Sequence, residues 1–535
     1  MPKLWTPSRR HFLGYSAAAL GIGIVTRPSF AQSTPQHGGT LVVSQSNDPV
    51  ALSGIAHTGV SGEASKALEG LLSYDFDLNP VPQLATDWSV SADGLTYTFK
   101  LRPGVKWHDG QPFTSADVTF SLNAIKEVHP RGRVTFAPLT EVQTPDEHTA
   151  VLKLSRVAPY LLTAFAAVET PIVPKHLYEG TNVAENPHNN APVGTGPWVF
   201  KEWVRGSHVR YERNPDYWDA PKPYFDALIY QVIPDAAARS IAFETGEVHI
   251  GGGANVPIPV SDLARFEALE HIGFDRRGQG YINGVQRIEF NLEVPFFQDQ
   301  RVRQAFAHTI DKSVIHQTVN FGYGSVIPGP IADTLTKFYE PGLKTYAIDT
   351  GKAESLLDAA GFPRGADGIR HRLTLDPLGG SDHHKRGSEY IKQALAGIGV
   401  EVSLRTQDFP TYIKRVYTDR DFEFSYHGMS NLFDPTVGVQ RLYWSKNFKP
   451  GIPFTNGSKY ESAAADGYLE AAAIEQDPAK RRQFFTDFQN QVIEDLPDIN
   501  TVSTVAATVY NKRVVDHTTG ALGLAGNFAD AYFVS

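Results

Sequence analysis

Two short stretches of this sequence combine the side chains that can recognise a small charged molecule. His383-His384-Lys385-Arg386 sets two imidazoles and two cations immediately before a helical pattern. Cationic side chains and the free backbone N–H groups of a helix start together make an anion site, so Lys385 and Arg386 are candidates to clamp a ligand carboxylate. Asn431-Leu432-Phe433-Asp434-Pro435, followed by Tyr443-Trp444, mixes polar groups with aromatic platforms, the composition of a small-molecule pocket. Asn431, Tyr443 and Trp444 are candidate contacts there, with His427 just upstream. Asp434 precedes a proline and reads better as the start of a turn. In the N-terminal part, Ser46, Asn47 and His57 follow an apolar run and are the corresponding candidates. Each of these residues also fits an ordinary polar loop.

Covalent chemistry finds no support in the same sequence. There is no Gly-x-Ser-x-Gly, no His-Glu-x-x-His and no Gly-x-x-x-x-Gly-Lys-Ser/Thr. The chain has no cysteine, which excludes disulfides, cysteine-ligated zinc, iron–sulfur clusters, a thiol nucleophile and a lipidated cysteine. Gly278-Gln279-Gly280-Tyr281-Ile282-Asn283-Gly284 is glycine-rich but has the wrong spacing for a dinucleotide loop, and it reads as a turn or hinge. No cofactor is expected. The net charge of −9 argues against nucleic-acid binding, which needs a basic stripe.

The elements that must position these residues follow from patterning. Thr40 to Ser44 reads as a buried strand, 62–72 as a helix, and Tyr97 to Leu101 as a half-buried strand. Thr114 with Asp117 predicts a capped helix start. Helices are expected from Gln300 to Val319 with Asp299 as cap, from Asp349 to Gly361, and after Asp477-Pro478. The stripe Phe484, Phe485, Phe488 and Val492 reads as core. Residues 371–426 alternate strand, helix, strand, helix, strand, with the first helix at Ser388 to Ala396 and the last strand at Phe422 to Tyr426. That order predicts a parallel α/β sheet, with ligands beyond the carboxyl ends of its strands, at Asp376 to Arg386 and His427 to Asp434.

Residues 1–31 read as an export signal cleaved before Gln32. Ser8-Arg9-Arg10-His11-Phe12-Leu13 resembles a twin-arginine motif, an apolar stretch runs from about Gly14 to Val25, and Ser29-Phe30-Ala31 offers a cleavage site. The leader carries Lys3, Arg9, Arg10 and Arg27 and no acidic residue, which leaves the remainder near −13. A soluble periplasmic protein without a lipid anchor is expected.

Several segments, in order, resemble the extracellular solute-binding proteins of the dipeptide, oligopeptide and nickel class (family 5) of ABC importers. They include Leu84-Ala85-Thr86-Asp87-Trp88, Lys100 to Gly110, Gly194-Thr195-Gly196-Pro197-Trp198, Arg213-Asn214-Pro215-Asp216-Tyr217-Trp218, Asp299 to Asp311 and Gln489 to Pro497. The resemblance implies an α/β, two-lobed periplasmic binding protein fold with an extra subdomain on the first lobe. Residues 37–74, 195–282 and 500–535 would form lobe I, 75–194 its subdomain, and 283–499 lobe II, with hinges near 283 and 499. It implies a receptor that captures a peptide-like or related small polar solute and delivers it to a membrane permease complex as a monomer. Peptide binders of this class often present an aspartate to the ligand ammonium where Asn431 stands. A neutral amide cannot pair that charge, so opine-like compounds, modified peptides or sugar derivatives also fit. The alternatives are a nickel or metal-chelate receptor using His57, His383, His384 or His427, an exported enzyme, and a periplasmic chaperone or signalling receptor.

Overall fold

The computed structural model describes residues 35–57, 62–252, 258–277, 280–379, 382–504 and 507–534, so the expected export signal lies outside the described residues. Three larger sheets organise the chain. In the first, seven strands run in the order Ile272–Asp275, Thr508–Asn511, Ile250–Gly252, Thr40–Gln45, Ala227–Val232, His208–Arg213, Trp198–Val204. Thr40–Gln45 is parallel to both of its neighbours. Its Leu41 and Val43 are fully buried, as the apolar, β-branched run predicted.

A second sheet has six strands, in the order Ser325–Val326, Asp498–Thr504, Gly284–Phe290, Phe424–Ser430, His371–Pro377, Val400–Leu404. His371–Pro377 pairs parallel with both Val400–Leu404 and Phe424–Ser430, as the alternating pattern predicted. The last of these strands starts two residues later than expected and runs on to Ser430. Asp498–Thr504 stays in this sheet, past residue 499, where the first-lobe segment was expected to resume. A third, four-stranded sheet is antiparallel: Ala85–Val90, Thr96–Leu101, Thr149–Leu154, Leu139–Asp146.

Local chemistry explains most helix ends. Helix Ser115–Val128 begins at a complete Thr114/Asp117 capping box and buries Val118, Leu122 and Ile125. Asp349 caps Thr350–Ala359, and Asp477 caps the 18-residue helix Pro478–Asp495, whose Phe485, Phe488 and Val492 are core. One expected helix is shortened and another is interrupted. Only Ala64–Ala67 of 62–72 is helical, and Leu68 is already extended. The chain must pass tightly there, since a Cβ on Gly70 would sit 2.1 Å from the Phe165 carbonyl oxygen. The helix from Gln300 breaks after Thr309 and resumes as Lys312–Val314 and Ile315–Val319, reaching the expected end. Asp311 interrupts it by accepting from Ser313 N at 2.8 Å, while its own N–H donates to Tyr390 Oη at 2.9 Å.

One apolar cluster packs the four-stranded sheet and its helices together with the helices of residues 409–488, through Phe99, Phe165, Tyr281, Phe433, Leu442 and Phe488. A separate cluster fills the other face of the six-stranded sheet, beneath Gln300–Thr309, Thr350–Ala359 and Asp382–Gly397. Among the described residues no helix is long and apolar enough to cross a membrane.

Candidate functional site

The chain passes between the seven-stranded and six-stranded sheets twice, through 276–283 and again after Thr504. The first passage is bolted on both sides. Tyr281 is buried, with ring centroids 5.3 Å from Tyr74 and 4.8 Å from Phe433, and its Oη donates to Thr163 O at 2.9 Å. Asn283 adopts a left-handed φ of 48°, which its short polar side chain tolerates. Its Nδ2 donates to Leu432 O at 3.1 Å, while Asn431 N and Leu432 N donate to Asn283 O and Ile282 O at 2.7 and 2.8 Å. The carboxyl end of strand Phe424–Ser430 is thereby held beside residues 163–169.

Opposed charges gather at that junction. Arg131 donates to Glu169 through Nε at 3.0 Å and Nη2 at 2.5 Å. Burial pushes the neighbouring His129 down to about 3, and the charge of Arg131 adds to the shift, so this imidazole is neutral. From the other side comes Arg441, on the short helix Gln440–Tyr443. Its Nε, Nη1 and Nη2 donate to Gly438 O at 3.0 Å, Phe454 O at 2.8 Å and Ser430 O at 3.1 Å. Burial lowers the Arg441 guanidinium to about 10, and Arg131 is the next largest cause.

Behind the strand end, one face of the six-stranded sheet carries a buried ionic layer. Arg287 Nη2 lies 3.1 Å from Glu289 Oε1 and 2.8 Å from Asp498 Oδ2. Glu289 Oε2 is 2.9 Å from His427 Nε2, and Tyr443 Oη donates to Asp498 Oδ2 at 2.6 Å. Burial alone would raise the Glu289 carboxyl. The charge of Arg287 and the bond and charge of His427 outweigh it and bring the group down to about 2.

Asn431 is 1% exposed. Its Oδ1 accepts from Ala332 N at 2.7 Å and its Nδ2 donates to Pro330 O at 3.1 Å. His427 and Tyr443 are likewise buried and committed to the ionic layer. Trp444 turns away, its Nε1 donating to Glu470 at 2.9 Å. Lys385 and Arg386 do not precede a helix. They lie inside Asp382–Gly397, which starts six residues earlier than expected, and helical periodicity turns them to solvent while His384 points inward to Gln286 Oε1 at 2.8 Å. The guanidinium of Arg386 covers the exposed ring of Phe321 at 5.4 Å. Asn47 is exposed and bonds Ser46 at 3.2 Å, and His57 lies within electrostatic reach of His129. Gly278 and Gln279 of the glycine-rich segment lie outside the described residues.

The structure thus joins His427 and Tyr443 in one layer, sets Asn431 at its edge, and leaves Lys385, Arg386, Trp444 and Asn47 elsewhere. Sequence reasoning missed Arg131, Glu169 and Arg441. Arg441 had a usable signal, since it follows the Asp434-Pro435 turn within a single helical turn of Tyr443. Among the described residues no group of three or more His, Asp or Glu is placed to hold a metal ion.

The model of the bacterial extracellular solute-binding proteins, family 5 Middle, matches residues 79–451. A putative ABC transporter peptide-binding protein of Brucella ovis is 31% identical over 503 residues, covering 90% of this chain and 91% of that protein. Among solved structures, NikZ from Campylobacter jejuni in complex with Ni(L-His) has a TM-score of 0.79 at 25% identity, covering 91% of this chain and 97% of that one. AgaA from A. tumefaciens R10 in complex with agropinic acid has a TM-score of 0.76 at 26% identity, covering 93% and 99%.

Proposed function

This chain belongs to the bacterial extracellular solute-binding proteins of family 5, and we propose that it captures a peptide-like or opine-like solute in the periplasm for an ABC permease. The family is one of two-lobed binding proteins that serve transporters. The observation that carries the reading is the charged junction at the first inter-sheet passage. There Arg131 and Glu169 from one side meet the strand end at Ser430 and Arg441 from the other. A solute seated there touches both lobes only when they meet, so binding and closure are one equilibrium.

The lobes are 37–74 with 195–282 and the C-terminal segment, and 283 to Thr504, with 75–194 as a subdomain of the first. Export uses the twin-arginine leader, and the mature protein is a freely diffusing monomer that binds no nucleic acid and turns nothing over. A standard dipeptide is disfavoured, because Asn431 supplies no negative charge for an α-ammonium and both ends of its amide are already bonded. The resemblance to NikZ keeps a metal chelate as the second reading.

The test is mass spectrometry of small molecules released by denaturing the protein purified from its native periplasm. One stoichiometric organic solute, returned unchanged after incubation, is expected. Turnover of that solute, or a stoichiometric metal with no organic chelator, overturns the proposal.

A further inference from the structure

We infer that Arg441 anchors an anionic group of the captured solute, most simply a terminal carboxylate, with Arg131 of the first lobe closing on the same group from across the junction. This rests on the receptor reading above and names the solute class it selects.

The geometry starts from how Arg441 is held. Three of its five N–H groups are spent on the carbonyl oxygens of Gly438, Phe454 and Ser430, which leaves one N–H on each terminal nitrogen. Among the described residues no carboxylate pairs with it. Two other enclosed guanidiniums are paired with carboxylates, whereas Arg303, also buried, is held like Arg441 on carbonyl oxygens, those of Phe297, Gln298 and Asp495. Arg287 has Glu289 and Asp498, and Arg481 has Asp434 in a two-point contact at 2.7 and 2.8 Å. Arg441 therefore carries its charge at the strand end half-buried and without an ion-pair partner, with the Glu169 carboxylate within electrostatic reach.

Its opposite number is also a cation. Arg131 shares its charge with Glu169, so the junction carries two guanidiniums against one carboxylate, beside a neutral His129. Bringing the lobes together without a solute leaves two guanidiniums to share the single carboxylate of Glu169. A carboxylate placed between them supplies the second negative charge, with charge-assisted bonds to both sides. The same charges thus select the solute and favour closure on it over empty closure. The outward-facing Lys385 and Arg386 take no part.

The probe is a pair of tetrapeptide libraries of identical sequence composition, one with free C-terminal carboxylates and one C-terminally amidated. Each is titrated calorimetrically into the full mature protein. The acid library is expected to bind at least about tenfold more tightly than the amide library, as loss of one charge-assisted contact implies. In Arg441→Gln, checked for folding by its melting curve, most of that preference disappears. Equal binding of the two libraries by the wild type, at whatever strength, overturns the inference without needing any variant. So does a folded Arg441→Gln that keeps the preference. A wild type that binds amides as tightly as acids still stands as a solute receptor, so the two proposals fail separately.

Discussion

At the scale of single residues, the side chains that looked most available are the ones the fold has used up. Asn431 bridges Pro330 O and Ala332 N with opposite ends of its amide, the NH2 donating and the oxygen accepting. Asn431→Asp loses the donor and points a carboxylate at a carbonyl. It is expected to lower stability by about 1–3 kcal/mol in urea denaturation, and not to create an ammonium site. Arg481 and Asp434 form a buried pair with side chains 8% and 3% exposed. Arg481→Leu strands the carboxylate and is expected to cost about 3–5 kcal/mol in the same assay. Glu63 gives a pH signature. Burial raises its carboxyl to about 7, against a backbone bond and the Lys66 charge that lower it. The folded protein holds this proton where the unfolded chain, near 4.5, has released it. Its contribution is therefore complete below pH 4.5 and is lost as the pH rises through 7. In unfolding free energies from urea titrations across that window, the wild type should lose stability relative to Glu63→Gln as the pH rises, by at most about 1.4 kcal/mol per pH unit.

At the scale of elements, caps and close approaches decide what the site looks like. Asp117 does two jobs: Oδ2 accepts from Thr114 N at 2.9 Å in the capping box, and Oδ1 accepts from Lys175 N at 2.9 Å on the next segment. Asp117→Ala should cost about 1–2 kcal/mol, where Thr114→Ala alone costs less, since it leaves the Lys175 bond. Gly438 is a glycine because the helix start at Pro435 is pressed onto the strand end. A Cβ there would lie 1.6 Å from the Asn431 carbonyl oxygen. That contact sets where the helix bearing Arg441 can lie.

For the whole molecule, the apolar cluster that runs from the four-stranded sheet to the helices of 409–488 makes the two sides melt together when they are in contact. Lys337 Nζ adds a polar tie, 3.0 Å from Asn79 Oδ1. Calorimetry of the solute-loaded protein is expected to give one cooperative transition, at a midpoint that climbs with solute concentration. Separate transitions for the lobes in the loaded protein would contradict that coupling.

The sequence by itself determined many of the local elements and the parallel alternation over 371–426. The Thr114/Asp117 box, the Asp477-Pro478 start and the alternation over 371–426 are short-range signals, and they predict the same structure whatever packs around them. It also excluded cysteine chemistry outright. Only the tertiary structure decided which polar residues were free. Asn431, His427 and Tyr443 carry the right chemistry for a ligand, but their partners at 330–332, Glu289 and Asp498 are distant in sequence and become neighbours only when the sheet forms. Lys385 and Arg386 turned outward because their helix starts earlier than its apolar pattern. Arg441 had no carboxylate partner to announce it. Its significance is the charge left over once Gly438, Ser430 and Phe454 hold it opposite Arg131, and such a surplus exists only after folding has brought two distant cations to one junction.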